Sequence, residues 1–360
     1  MKVALVHEWL TTLGGSERVL LAFHRCFPDA PVFTSVHDPA GLPAAFAQLD
    51  IRTSFLQRLP GAARHHRALL PLLPLAFEQL DLRGFDVVLT SHHACAKGVI
   101  VDADALHLAY VHTPMRYAWD LTHAYQATLP RWQRALAAPV LAYLRAWDVA
   151  SSLRVDHYLA NSRHTALRIK KTWRRQATVL PPPIRLAALP ASDSHPREDH
   201  LLVVSRLVPY KRIDVAIAAA RLAGRRLRVV GDGPLYKALR REAGPEVTFL
   251  GHLPDADVQA ELARARALLF PGLEDFGLTP LEAMACGTPV IAYGAGGALE
   301  TVRPGETGLL VDAQTPEAFA AAIRALDQLA APPAALRAWA ATFDEDAFIA
   351  RLGTLVASLW

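Results

Sequence analysis

Residues 274–290 read Glu-Asp-Phe-Gly-Leu-Thr-Pro-Leu-Glu-Ala-Met-Ala-Cys-Gly-Thr-Pro-Val, and a short apolar run at 267–270 precedes them. Thr279 and Glu282 have the spacing of a capping box, and the proline after Thr279 suits the first position of a helix. A second apolar run begins at the end of the segment, at 289–292. The segment therefore predicts a strand, a loop, a helix and a second strand, the repeating unit of an α/β fold.

Outside this segment, short β-branched or apolar runs alternate with longer stretches rich in Ala, Leu and Arg. This alternation is typical of parallel strands joined by crossover helices. Strands are predicted in the first half of the chain at 2–7, 32–36, 51–55, 86–91, 106–112, 157–161 and 178–180. In the second half they are predicted at 201–205, 227–230, 247–250, 267–270, 289–292 and 308–311. The pattern predicts an α/β protein with two doubly wound, Rossmann-like domains.

The predicted boundary between the two domains lies at three consecutive prolines, residues 181–183. Consecutive prolines exclude both helix and strand pairing, and the polar stretch at 191–200 offers little to bury. We therefore expect an N-terminal domain over 1–183 and a C-terminal domain over 184–344, with a last helix at 345–360 that packs back on the first domain. Ligands of open α/β sheets bind beyond the carboxyl ends of the strands, so two sheets that face each other predict a cleft for two substrates.

The composition of the chain excludes several classes of protein. A chain of 360 residues with 52% hydrophobic residues can bury a large core, which argues against disorder. The net charge of +4 favours anionic ligands, but the basic residues form no long tract and no nucleic-acid-binding motif. Three scattered cysteines argue against a disulfide scaffold and indicate a reducing cytoplasm. No apolar stretch reaches the roughly 20 residues of a spanning helix, so we expect no membrane span and no secretion.

Two glutamates eight residues apart, Glu274 and Glu282, frame the most specific motif of the chain. Phe-Gly-Leu follows the first glutamate, and Glu-Ala-Met-Ala-Cys-Gly includes the second. This segment resembles the signature of glycosyltransferase family 4, whose members have the GT-B fold. The resemblance implies that Glu274 contacts sugar hydroxyls and that Glu282 binds the ribose of the nucleotide. It also implies donor contacts from the amides of Phe276, Gly277 and Leu278, while the capping box remains a good alternative explanation for Glu282.

A second match follows the first predicted strand of the C-terminal half, at 205–214. It resembles the diphosphate clamp of the same family, in which an arginine and a lysine five residues later contact the donor. Arg206 and Lys211 take these positions here. The resemblance implies that they neutralise the charge that grows on the leaving phosphate. A pair of solvated loop cations is the alternative.

Gly14 and Gly15 form a turn between the first predicted strand and an amphipathic helix. Glycines let the backbone approach a ligand closely, and amides at the start of a helix favour an anion. The family carries a Gly-Gly loop at this place, so both glycines are predicted to bind the donor. An ordinary turn with Ser16 as the N-cap of the helix is the alternative.

His112 stands at the end of a predicted strand, directly before Thr113 and Pro114. It resembles the cleft histidine of the family, which contacts the transferred sugar close to the reacting carbon. A histidine that only satisfies the core is the alternative.

Two further segments follow predicted strands. Residues 249–253 resemble the strand end beside the nucleotide base, so Gly251 and His252 are predicted to contact the donor. Residues 161–165 have the Asn-Ser-x-x-Thr pattern of the family, although capping of a helix by Ser162 explains this pattern almost as well.

Taken over nearly the whole chain, the resemblance implies a retaining, metal-independent glycosyltransferase. His112, Arg206, Lys211 and Glu274 are its predicted catalytic residues, none with a covalent role. We expect no cofactor beyond a nucleotide-sugar co-substrate, because the chain has no Asp-x-Asp pair at a metal-binding position. The N-terminal motifs are most similar to bacterial mannosyltransferases of polysaccharide or O-antigen assembly. GDP-mannose is therefore the predicted donor, and a glycan or lipid-linked glycan is the predicted acceptor.

Other functions remain open at this stage. The phosphate and ribose motifs are shared by enzymes that use UDP- or dTDP-sugars. A nucleotide-sugar epimerase and a non-catalytic nucleotide-sugar-binding protein share the GT-B architecture. Residues 51–77 and 129–147 mix Arg, His and Trp with Leu-rich faces, which would suit a peripheral contact with the cytoplasmic face of the inner membrane. Ordinary helix packing is an equally good explanation of these two segments.

Overall fold

The chain forms two compact units. The computed structural model describes residues 1–127, 130–190 and 196–360. Unit 1 comprises Met1–Pro181 with Phe348–Trp360, and unit 2 comprises Pro182–Ala347. The first half of the polar stretch at 191–200 lies outside the described residues.

Unit 1 is built on one sheet whose seven strands all pair in parallel. The strands are β1 (Val3–His7), β2 (Val32–Thr34), β3 (Ile51–Thr53), β4 (Val87–His92), β5 (Leu106–Val111), β6 (His157–Ala160) and β7 (Ala177–Val179). Their order across the sheet is β3-β2-β1-β4-β5-β6-β7. The chain moves outward from β1 on one side and resumes at β4 on the other, so the boundary between β1 and β4 is a topological switch point.

Helices connect the strands of unit 1. They are α1 (Gly15–Cys26), α2 (Leu73–Glu78), α3 (Thr122–Ala127), α4 (Arg131–Ser151) and α5 (Arg163–Trp173). The Ser162 hydroxyl caps α5 by accepting a hydrogen bond from the amide of Thr165, which confirms the capping explanation of residues 161–165. Helix α5 ends at Arg174, which adopts a left-handed conformation with φ of 58°.

A buried ion pair ties α4 to the segment after β4. The Lys97 ammonium lies 2.8 Å from Asp148 Oδ1 and donates to Ser151 Oγ over 2.7 Å. The indole N–H groups of Trp119 and Trp173 both donate to Asp148 Oδ2 over 2.8 Å. Both members of the pair are fully buried, so each charge depends on these partners and not on water.

Unit 2 is built on a second sheet, whose six strands also pair in parallel. The strands are β8 (His200–Val204), β9 (Arg226–Val230), β10 (Val247–Gly251), β11 (Ala267–Phe270), β12 (Val290–Tyr293) and β13 (Gly308–Val311). Their order is β10-β9-β8-β11-β12-β13, which places a second switch point between β8 and β11.

The helices of unit 2 cover both faces of this sheet. They are α6 (Ile213–Leu222), α7 (Tyr236–Glu242), α8 (Asp255–Arg264), α9 (Leu278–Ala285), α10 (Ala298–Thr301), α11 (Pro316–Ala325) and α12 (Pro333–Ala341). Leu201 and Val203 of β8 pack in the core that includes α6 and α11, while Leu202 packs in the core that includes α9 and α12. This alternation follows from the period of two of a strand.

The last helix, α13 (Glu345–Leu359), contributes to the core of unit 1. Phe348, Leu352 and Val356 recur at helical spacing and are buried with Leu5 and Phe23. The rings of Phe23 and Phe348 stack with centroids 6.1 Å apart. The apolar face of α13 therefore continues the core that α1 forms on the sheet.

The predicted fold class is confirmed. Each predicted strand has a counterpart in β1–β13, with ends that differ by at most two residues. Within residues 1–127, 130–190 and 196–360, no helix combines the length and the apolar content needed to cross a membrane.

Candidate active site

Lys211 and Glu274 form an ion pair at the switch point of unit 2. Lys211 lies in the loop after β8 and Glu274 in the loop after β11, and these two strands are neighbours in the sheet. Their side chains keep 19% and 15% of their surface exposed. The pair thus stands at the place where open α/β sheets bind their ligands, and it remains accessible to one.

Two glycines hold the loop of Glu274 against neighbouring backbone. A Cβ atom on Gly272 would lie 3.0 Å from Cα of Lys211, and a Cβ atom on Gly297 would lie 2.2 Å from Cα of Phe276. The amide of Gly297 donates to the carbonyl of Glu274 over 2.9 Å. Because a side chain at either position would collide with backbone, the close approach of these loops requires glycine.

The remaining predicted donor residues follow strands of the same sheet. Arg206 is exposed in the loop after β8, and His252 is exposed directly after β10. Gly251 ends β10 with φ of 69°, a left-handed conformation that favours glycine. Glu282 is half-buried on α9. Arg206 and His252 therefore lie at the same edge of the sheet as the ion pair of Lys211 and Glu274.

In unit 1, His112 belongs to a chain of hydrogen bonds at the other switch point. Its Nε2 lies 2.9 Å from Ser91 Oγ, which lies 2.9 Å from His7 Nδ1. His7 Nε2 lies 3.2 Å from Glu17 Oε1, and the Ser16 hydroxyl donates to Glu17 Oε2 over 3.0 Å. Since β1, β4 and β5 run parallel, His7, Ser91 and His112 meet at the carboxyl edge of the sheet.

Glu17 is ionised within this chain. Burial alone would raise its pKa, but the hydrogen bond from His7 and the nearby imidazoles of His7 and His93 outweigh that effect and lower the pKa to about 2. Burial acts in the opposite sense on the imidazoles. It lowers the pKa of His93 to about 4 and holds the pKa of His112 well below its usual value.

The carboxylate of Glu8 fixes the loop that follows β4. It accepts hydrogen bonds of 2.7 to 3.0 Å from four successive amides, those of His93, Ala94, Cys95 and Ala96. Burial would raise the pKa of Glu8, but hydrogen bonds from His92 and the backbone together with the nearby imidazoles hold it well below its usual value. The loop that carries His93 is therefore pinned by a buried anion.

Among the described residues, no three His, Cys, Asp or Glu side chains are grouped so that they would hold a metal ion.

Residues 189–337 match the model of the family described as glycosyl transferases, group 1. The matched segment lies within unit 2 and contains Arg206, Lys211 and Glu274. The resemblance stated from the two motifs of this segment is thereby confirmed for residues 189–337.

Curated relatives match part of the chain. A GDP-mannose-dependent alpha-(1-6)-phosphatidylinositol monomannoside mannosyltransferase of Mycobacterium tuberculosis is 35% identical over 161 residues, 39% of this chain and 42% of the relative. A D-inositol 3-phosphate glycosyltransferase of Rhodococcus opacus is 42% identical over 167 residues, 41% of this chain and 36% of the relative. The chain therefore spans about two fifths of the length of the curated relatives it matches.

Solved structures match the whole chain and show the fold. A sucrose-phosphate synthase from Thermosynechococcus elongatus matches with a TM-score of 0.76 at 20% identity, covering 100% of this chain and 99% of the other. HepE from Anabaena, solved in complex with UDP, matches with a TM-score of 0.70 at 18% identity, covering 99% and 100%. The chain therefore has the GT-B fold.

Two of the helix-capping alternatives are wrong. Helix α9 begins at Leu278 with Gly277 as its N-cap, not at Pro280 with Thr279 as the cap. The φ of 93° at Gly277 turns the chain into the helix earlier, and Glu282 consequently lies in the second turn. Likewise, Gly14 and not Ser16 is the N-cap of α1. The Ser16 hydroxyl bonds the carboxylate of Glu17 instead.

Sequence reasoning missed several groups in unit 1. Glu17, Ser91 and His93 received no role. The available signal was the polar run Ser91-His92-His93 at the end of a strongly apolar strand, since such ends carry the ligand-binding groups of open α/β sheets. The contacts of Ser91 with His7 and His112 follow from the strand order, which the sequence alone does not state.

Proposed function

We propose that this protein is a retaining, metal-independent glycosyltransferase that moves mannose from GDP-mannose onto a glycan or lipid-linked glycan acceptor in cell-surface polysaccharide biosynthesis. The observation that carries the proposal is the accessible pair of Lys211 and Glu274 at the β8/β11 switch point, inside the segment that matches the family. A cation and a carboxylate side by side provide partners for a phosphate and for sugar hydroxyls at one place.

The proposed donor site lies in unit 2. Lys211 and Arg206 neutralise the diphosphate as the bond to the sugar breaks. Glu274 orients the hydroxyls of the transferred sugar, helped by the amides of 276–278 at the start of α9. Glu282 holds the ribose, and Gly251 with His252 contact the base.

His112 positions the reacting sugar near the acceptor. Because the cations supply the charge neutralisation that a divalent metal would otherwise provide, the mechanism needs no metal. The leaving phosphate assists attack on the same face of the sugar, so configuration is retained and no side chain of the protein forms a covalent bond. Addition of a chelator is expected to leave transfer intact, and loss of transfer in chelator would contradict this part of the proposal.

The mannose donor is supported by the name of one relative and by the N-terminal motifs. The relative from Mycobacterium tuberculosis is named as GDP-mannose-dependent. HepE, in contrast, was solved with UDP, so a UDP-sugar is the second candidate donor, beside a dTDP-sugar. An epimerase or a non-catalytic binding protein is the candidate of another class.

The proposed site of action is the cytoplasmic face of the inner membrane. Helix α4 exposes 65% of Trp132 and 64% of Leu136, one turn apart, next to the basic side chains of Arg131 and Arg134. Exposed apolar side chains flanked by arginines suit a surface of anionic lipid. In a flotation assay with vesicles rich in phosphatidylglycerol, the protein is expected in the vesicle fraction. A Trp132→Ala, Leu136→Ala double variant is expected in the unbound fraction. Equal flotation of both proteins would contradict membrane contact through α4.

The first experiment is a thermal-shift titration with GDP, UDP, dTDP, ADP and their sugars. A ligand that binds only the folded state stabilises it and therefore raises the melting temperature. At a ligand concentration 100 times the Kd, the free energy of unfolding increases by about 2.7 kcal/mol. We expect selective stabilisation by GDP and GDP-mannose. Selective stabilisation by UDP or dTDP ligands would contradict GDP-mannose as the donor but would still support a glycosyltransferase. No response to any nucleotide would contradict the proposed donor site itself. Slow hydrolysis of a stabilising nucleotide sugar would exclude the non-catalytic candidate.

A further inference from the structure

The chain of hydrogen bonds in unit 1 has one fixed end, the carboxylate of Glu17. Glu17 lies in the first turn of α1, where the positive end of the helix dipole favours a negative charge. Ser16 donates to its second oxygen. An ionised carboxylate only accepts hydrogen bonds, so the proton between Glu17 and His7 belongs to His7 Nε2.

The direction of the next two bonds follows from this start. When His7 is neutral, its Nδ1 is an acceptor, and the single hydroxyl proton of Ser91 must point to it. Ser91 Oγ is then the acceptor for His112, so His112 Nε2 carries a proton. A neutral His112 with its proton on Nε2 has a lone pair on Nδ1. Among the described residues, no hydrogen-bond partner contacts that atom, and the side chain is half-buried and not sealed.

We propose that Glu17, His7 and Ser91 set the tautomer of His112, so that His112 Nδ1 accepts a hydrogen bond from a sugar hydroxyl. This inference rests on the proposed glycosyltransferase function for the identity of the hydroxyl, but not for the tautomer. His7, Glu17 and Ser91 are positioning residues. His112 is the group that touches the substrate.

The geometry around the chain supports its rigidity. The backbone N–H of His112 donates to the carbonyl of His92 over 2.9 Å, and its carbonyl accepts from the side-chain Nδ2 of Asn161 over 2.9 Å. Its ring packs edge to face on Tyr110, with centroids 5.1 Å apart. The ring of His93 faces both His7 and His112, at 6.1 and 6.4 Å between centroids. With its backbone bonded on both sides and its ring packed, His112 has little freedom to exchange the roles of its nitrogens by rotating.

Nuclear magnetic resonance of the full chain with ¹⁵N-labelled histidine reads the tautomer directly. At pH 8 we expect His112 in the form with the proton on Nε2, assigned by its loss in His112→Gln. Ser91→Ala removes the link and is expected to mix the two tautomers. Thr90→Val is the matched control, because it removes a buried hydroxyl one residue away that bonds only the carbonyl of Leu108. A proton on Nδ1 in the wild type, or an unchanged tautomer in Ser91→Ala, would overturn the proposal.

Activity supplies the second readout. Ser91→Ala is expected to lower kcat about tenfold while the KM for the donor nucleotide sugar changes less than about twofold, since Ser91 acts only through the orientation of the protons on His112 and contacts no part of the donor. If no sugar is transferred at all, the proposed function fails, while the resonance of His112 still decides the tautomer.

Discussion

Both sheets carry polar side chains at the carboxyl ends of the strands beside their switch points, but these side chains are buried in unit 1 and accessible in unit 2. In unit 1, His7 and Ser91 are fully buried, and their partner Glu17 is 5% exposed. In unit 2, Lys211 and Glu274 keep 19% and 15% of their side chains exposed, and Arg206 is exposed. The groups of unit 1 are satisfied by one another, whereas those of unit 2 are open to a ligand.

This difference indicates two ways to prepare a site. A buried network fixes which atom is donor and which is acceptor before any ligand arrives, and it loses much when one member is removed. An accessible ion pair is weaker, because solvent screens it, and it can exchange its partner for a phosphate or a hydroxyl. We therefore expect loss of a buried charge in unit 1 to cost stability, and loss of a member of the accessible pair in unit 2 to lower transfer with little loss of stability.

The largest effect is expected for Lys97→Met. The substitution leaves Asp148 buried without its cation, which costs roughly 3–5 kcal/mol of unfolding free energy. Urea denaturation measures the loss. Arg52→Met is the matched control, because Arg52 pairs with Asp50 on the surface with about half of each side chain exposed, and about 1 kcal/mol or less is expected there. Equal losses of unfolding free energy in the two variants would contradict the expected difference between a buried and an exposed ion pair.

Substitutions of the open pair are expected to show the reverse pattern. Glu274→Ala and Lys211→Ala should each lower transfer about 100-fold, since each removes a group that contacts the transferred sugar or the leaving phosphate. Their melting temperatures should change little. Glu246→Ala is a control from the same unit, because it removes an ion pair with Arg221 near the amino end of β10, away from the ligand edge. Near-normal transfer in both site variants would show that the site is misassigned.

The fold was predictable because most of its strands are short, mainly apolar runs bounded by a polar or glycine-containing segment. Parallel strands that are buried on both faces, such as β1, leave this signal in any single sequence. The order of the strands was not predictable, since it depends on which helix crosses which face. That order brings Ser91 beside His7 and His112, and for this reason the network of unit 1 could not be read from the chain.

Acid is expected to destabilise unit 1 before unit 2. The pKa values of His93 and His107 are lowered to about 4 by burial, so the unfolded chain binds more protons than the folded one from about pH 6.5 down to pH 4. Glu17, with a folded pKa of about 2, extends the loss below its usual value of 4.5. Among the described residues of unit 2, His200 is the histidine whose pKa burial lowers.

Hydrogen exchange at pH 7 and pH 5, corrected for intrinsic rates, measures this difference. We expect protection in β1, β4 and β5 to fall by on the order of 2 kcal/mol and protection in β8 and β11 to fall less. A larger loss in unit 2 would contradict the assignment of the buried imidazoles as neutral.

The smallest effects are expected at two helix starts. The structure confirms the predicted N-cap of α5 and contradicts the predicted N-cap of α9. Ser162 and Thr279 both had the residue type of an N-cap, and only Ser162 accepts the hydrogen bond that defines one. Sequence alone did not separate them, because it does not state that Gly277 adopts a φ of 93° and starts the helix before Thr279. Ser162→Ala is expected to cost about 1 kcal/mol of unfolding free energy, and Thr279→Ala less than about 0.5 kcal/mol. If Thr279→Ala costs as much as Ser162→Ala, α9 begins at the predicted capping box after all, and the amides of 276–278 are not free to bind a donor.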